Sequence, residues 1–76
     1  MMNPAQCRAA RALLNWSQQE LADASKIGNA TIRNFEAGRS EPQHATLVVL
    51  RRTFEGAGVV FIDANGDGAG VRLKKP

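Results

Sequence analysis

Between Ser17 and Gly38 two helix-length segments are separated by only three residues, and this spacing constrains the fold more than any other feature of the chain. Ser17-Gln18-Gln19-Glu20 is a capping box. The Ser17 hydroxyl can accept from the amide three residues on, and the Glu20 carboxylate can reach back to the Ser17 amide. Trp16 and Leu21 occupy the two positions that form a hydrophobic staple across such a cap. The pattern predicts a helix over Gln18 to Ser25, with Leu21 and Ala22 facing inward. Lys26-Ile27-Gly28 is then the turn, with Gly28 expected to take backbone angles that other residues resist. A second helix is predicted over Asn29 to Ala37. Ile32 and Phe35 form its inner stripe, and Gly38 terminates it.

The flanking segments add two more helices and a change of character. Asn3-Pro4 suits a helix start, because Asn caps free amides and Pro needs no donor in the first turn. A helix follows over Ala5 to Leu14, with Ala10, Leu13 and Leu14 at core spacing and Arg8 and Arg11 turned outward, toward solvent or a partner. Arg39 to Pro42 is a polar loop. A fourth helix is predicted over His44 to Glu55, with Leu47, Leu50 and Phe54 inward. After Gly56-Ala57-Gly58, the apolar run Val59-Val60-Phe61-Ile62, the turn-rich Asp63 to Gly70 and the alternating Val71-Arg72-Leu73-Lys74 read as a β-hairpin. The expected fold class is mainly α, a four-helix core with a C-terminal β-hairpin. Residues 1–57 form the core. Residues 58–76 form the hairpin and tail of the same domain.

Composition narrows the class. The chain has 76 residues and a net charge of +3. That length allows one domain with a modest core, for which dimerisation is a common remedy. The positive charge suits a polyanionic partner. No apolar run approaches the roughly 18 residues of a membrane span, and Met1 to Arg11 lacks the apolar centre of a secretory leader. Cys7 is the single cysteine, so no internal disulfide forms and a reducing, cytoplasmic location is expected. Enzymatic chemistry is not expected. His44 and Cys7 make no metal-ligand set, and no nucleophile–base pair or phosphate-binding glycine loop can be assembled. Asp63-Ala64-Asn65-Gly66-Asp67-Gly68 fits the first half of a calcium loop, but Lys74 stands where the bidentate Glu belongs. The segment reads as a polar turn, and no cofactor or metal is expected.

Two short helices joined by a tight turn form the arrangement that reads double-stranded DNA. The second helix enters the major groove by its N-terminal end. Its outward residues must be small or polar, and here they are Asn29, Ala30, Arg33 and Asn34. Asn can pair with adenine, Arg with guanine, and the Ala methyl with the thymine methyl.

The stretch Trp16-Ser17-Gln18-Gln19-Glu20-Leu21-Ala22, followed by Thr31-Ile32, Phe35-Glu36, Gly38-Arg39, Pro42 and Thr46-Leu47, resembles the Cro/C1-type helix-turn-helix family, also called lambda-repressor-like or XRE. The resemblance covers about Gln6 to Phe54. It implies base contacts from Asn29, Ala30, Arg33 and Asn34, and phosphate contacts from Gln18, Lys26, Thr31, Arg39 and Ser40. It also implies a structural ion pair between Arg11 and Glu36. Ser25-Lys26 depart from the Leu-Gly more usual in the family, so an unusual turn is expected. The hairpin replaces a fifth helix that often builds the dimer interface. Val59, Val60, Phe61 and Ile62 are therefore the candidate dimer or partner element. The expected function is a homodimeric transcriptional regulator, a repressor acting by occupancy without a sensor segment. The alternative is a module whose main partner is another protein, as an anti-activator or antitoxin.

Overall fold

The computed structural model describes residues 2–75. Four helices, α1 (Pro4–Leu14), α2 (Gln18–Ser25), α3 (Asn29–Glu36) and α4 (His44–Gly56), precede an antiparallel hairpin of β1 (Val59–Ile62) and β2 (Gly70–Leu73). The fold is mainly α, as expected.

Local chemistry sets most boundaries. Asn3 caps α1 with Pro4 in the first turn, and the reciprocal bonds between Asn3 and Gln6 make this a second capping box. The Asn-x-x-Gln spacing encodes this box, in addition to the Asn-Pro helix start. Ser17 and Glu20 form the anticipated box at the start of α2. Helix α3 ends at Glu36. Gly38 takes φ +73°, and the Gly38 and Arg39 amides fold back onto the carbonyls of Phe35 and Asn34. A side chain at φ > 0 is strained, which is why Gly serves there.

The core collects Cys7, Ala10, Leu21, Ala22, Ile32, Phe35, Leu47, Leu50 and Phe54 from the helices, with Val59 and Phe61 from β1. Leu14, Trp16, Ile27 and Val71 pack against it. Trp16 stacks on Phe54 at 6.0 Å between ring centroids, so its indole ties the α1–α2 junction to α4.

Four expectations change. Leu13 is 40% exposed. Helix α1 is rotated so that Cys7, Arg11 and Leu14, at i, i+4 and i+7, face the bundle, which leaves Leu13 on the flank. Arg11 is turned to the Glu36 carboxylate rather than outward, and Arg8, though exposed, donates from its guanidinium to the Glu36 carbonyl at the end of α3. The positive-φ residue of the turn is Lys26 (φ 63°), whereas Gly28 has φ −60° and ψ 141°, open to any residue. Leu73 lies on the inner face of β2 by register, opposite the buried Val59, but is itself 44% exposed.

The hairpin is held at both ends. The buried Gln6 side-chain amide donates to the carbonyls of Ile62 and Gly70 at 3.2 and 3.1 Å, closing the turn end of the hairpin onto α1. At the other end the Lys74 amide donates to the Gly58 carbonyl at 2.7 Å. Arg51 of α4 lies over the Phe61 ring, 4.9 Å from its centroid, and pairs with Glu55 and Asp63.

Candidate nucleic-acid interface

Helix α3 presents two faces of opposite character. Ile32 and Phe35 anchor it in the core. Ala30, Thr31 and Arg33 are exposed, and Asn29 and Asn34 are half-buried. The spacing i, i+1, i+4, i+5 puts Asn29, Ala30, Arg33 and Asn34 on one side of the helix. The N-cap Gly28 makes no side-chain capping bond. A Cβ added there would meet nothing within 4 Å, so the first amides of α3 are uncovered.

The polar hub behind this face is Glu36. Its carboxylate accepts from Arg11 Nη2 at 2.7 Å and Arg11 Nε at 2.8 Å, from Gln18 Nε2 at 3.0 Å and from Cys7 Sγ at 3.1 Å. Arg11 also donates through Nη1 to the Trp16 carbonyl. The hub therefore joins α1, the α1–α2 junction, the start of α2 and the end of α3. Burial alone would push the Glu36 carboxyl up, but the bonds from Arg11, Gln18 and Cys7 outweigh it and hold the group below the usual carboxylate range. Burial, reinforced by the adjacent Glu36, pushes the Cys7 thiol far above its ordinary range. The expected Arg11–Glu36 pair is present. Its partners Cys7 and Gln18 were not read from the sequence, because nothing local places a thiol of α1 against the end of α3.

The residues expected at phosphates lie on α2, the turn, α3 and the loop after it. Lys26 is exposed at the turn, Thr31 on α3, and Arg39 and Ser40 in the loop after it. Gln18 is half-buried at the first position of α2. One hydrogen of its side-chain amide is committed to Glu36, which leaves the second hydrogen and the main-chain amide. Asn29 is bonded too, donating to Gln19 of α2 at 3.2 Å. Gln19 in turn donates to Asp23 at 2.9 Å.

The candidate dimer strand is divided by its own alternation. Val59 and Phe61 are in the core, and Val60 and Ile62 are on the opposite face with Arg72. Only Val60 and Ile62 are thus directed away from the protein's own helices.

This combination, a capped positioning helix, a tight turn and a core-anchored helix with a polar outer row, defines a DNA-binding helix-turn-helix regulator. The family model described as Helix-turn-helix matches residues 8–55, more than half of the chain. The chain belongs to that family, in its Cro/C1 or XRE type. No curated protein matches it closely enough to count as a relative. Among the described residues no helix is long and apolar enough to cross a membrane.

Proposed function

We propose that the protein is a sequence-specific transcriptional repressor that binds a pseudo-palindromic DNA site as a homodimer and acts by occupancy in the cytoplasm. The observation that carries this reading is the outer row of α3. Asn29, Ala30, Arg33 and Asn34 share one side of a helix whose other side is locked by Ile32, Phe35 and the Glu36 hub. A helix held this rigidly can present hydrogen-bonding groups to base edges at low entropic cost. Lys26, Thr31, Arg39, Ser40 and Gln18 would set its register on the phosphates. The hairpin would pair the subunits.

The test is a footprint of the purified protein on the DNA upstream of its own gene. Two protected half-sites about one helical turn apart are expected. Arg33→Ala with Asn34→Ala should remove this protection, each lost base contact costing about 1–3 kcal/mol. Binding that is indifferent to sequence and vanishes with modest salt would overturn the reading.

A second reading has one observation in its favour. Ile62 is 43% exposed on the hairpin face turned away from the helices, the face it shares with Val60. A protein partner could use that apolar surface. If cellular activity survived the Arg33 and Asn34 changes but not Ile62→Lys, the protein-binding role would be the main one.

A further inference from the structure

The geometry points to Gln19 and Asp23 as positioning residues that set the hydrogen-bonding polarity of Asn29, and through it a preference for adenine at one position of the DNA site. The inference rests on α3 being the base-reading helix.

Three side chains, Asp23, Gln19 and Asn29, form a hydrogen-bonded relay from α2 to α3. A carboxylate can only accept hydrogen bonds. Asp23 accepts from Gln19 at 2.9 Å, so the Gln19 amide must turn its NH2 end toward Asp23. Its oxygen end then faces the other way, toward α3, and there it accepts from Asn29 Nδ2 at 3.2 Å. The Asn29 amide is thereby held in one of its two orientations. One Nδ2 hydrogen is taken by Gln19. The other hydrogen and the Oδ1 acceptor remain free along one edge. An acceptor beside a donor on one amide edge complements the N6 donor and N7 acceptor of adenine. The reversed amide would present the same groups in swapped order and would not match at that position. Asp23 and Gln19 are one helical turn apart on α2, at i and i+4, so α2 supplies the polarity and α3 delivers it. Asp23 and Gln19 are exposed, so changing either leaves the core intact.

The experiment selects bound sequences from a pool of randomised duplexes with the full chain, in parallel for the unchanged protein, Asn29→Ala, Gln19→Glu and Gln19→Lys. Thermal melting of each variant verifies the fold. The unchanged protein should favour adenine about fivefold or more at one position, and Asn29→Ala identifies that position by losing the preference. Glu at position 19 still accepts from Asn29, so Gln19→Glu should keep the preference while its added negative charge weakens binding overall. Lys can only donate, so Gln19→Lys should turn the Asn29 oxygen inward. It should lose the adenine preference even as its positive charge tightens binding overall. Affinity and preference thus move in opposite directions, which neither a purely structural nor a purely electrostatic role of Gln19 would produce. If Gln19→Lys retained adenine, or if other positions were selected but none answered to Asn29, the positioning role would be overturned with the DNA-reading function intact. If the unchanged protein selected no motif, base reading by α3 and this inference would fall together.

Discussion

Arg11 grips Glu36 through two roughly parallel bonds, Nη2 to Oε1 at 2.7 Å and Nε to Oε2 at 2.8 Å, with the carboxylate side chain only 3% exposed. The pair joins α1 to the end of α3. Removing one partner leaves the other charge with poor solvation. Arg11→Met should cost about 2–3 kcal/mol, below the range for fully buried pairs because the Arg11 side chain keeps 20% exposure. Glu36 titrates lower in the folded chain than in the unfolded one. Its contribution is therefore fully present above the ordinary carboxylate range and is lost as pH falls through the depressed folded value. Urea denaturation from pH 7 downward should show stability falling below about pH 4, and Glu36→Gln should flatten that part of the profile while lowering stability at pH 7.

The Cys7 thiol donates to Glu36 from a fully buried position, and both burial and the neighbouring carboxylate oppose thiolate formation. Thiolate is the reactive form. Labelling by a disulfide reagent should therefore track unfolding of the chain, accelerating with denaturant. Fast, denaturant-independent labelling at pH 8 would contradict the described packing. Cys7→Ala should cost about 1–2 kcal/mol, combining a small cavity with one lost donor to a charged acceptor.

Gln6 is the bolt between α1 and the hairpin, donating to both Ile62 and Gly70 while accepting from the Asn3 amide. Gln6→Ala leaves those carbonyls without this donor. A loss of about 1–3 kcal/mol is expected. Hydrogen exchange should localise the effect, with hairpin amides exchanging faster while α2 and α3 keep their relative protection. Uniform loss of protection would mean that the hairpin and the helices unfold as one unit.

Lys26 closes α2 in the left-handed region at φ 63°, a conformation that suits glycine better than a side chain. Lys26→Gly should raise stability by about 0.5–1 kcal/mol, the relief of strain being offset in part by the greater freedom of Gly in the unfolded chain. The same change removes an exposed cation beside the turn. If Lys26 meets a phosphate, the slope of log affinity against log salt should fall by about 1. A variant that is more stable and yet binds DNA less tightly would separate the two roles of this one residue.

Val60 and Ile62 point away from the protein's own core, in contrast to Val59 and Phe61. Val60→Lys with Ile62→Lys should leave the melting of the monomer nearly unchanged and abolish dimerisation in sedimentation if this face pairs the subunits. Phe61→Asp cannot serve as that test, because it places a charge in the core and unfolds the chain for an unrelated reason.

Much of this protein was determined locally. The Ser17–Glu20 box, the three-residue turn, Gly38 after the third helix and the Leu47, Leu50, Phe54 stripe each follow from chemistry acting over a few residues, and so the elements were legible in the chain. The outer row Asn29, Ala30, Arg33, Asn34 was legible too, because it is the complement of the apolar stripe Ile32, Phe35 on the same helix. Tertiary structure decided what pairs across elements. The rotation of α1 that brings Cys7 and Arg11 to Glu36 and leaves Leu13 outside is set by where α3 ends, which no window of α1 encodes. The division of the apolar run Val59–Ile62 into two core residues and two outward ones depends on which face of the hairpin meets the helices. The chain of bonds from Asp23 through Gln19 to Asn29 joins residues ten apart across a turn. The opening tract therefore specified which residues face outward, and only the packing of α2 beside α3 decided how one of them, Asn29, is aimed.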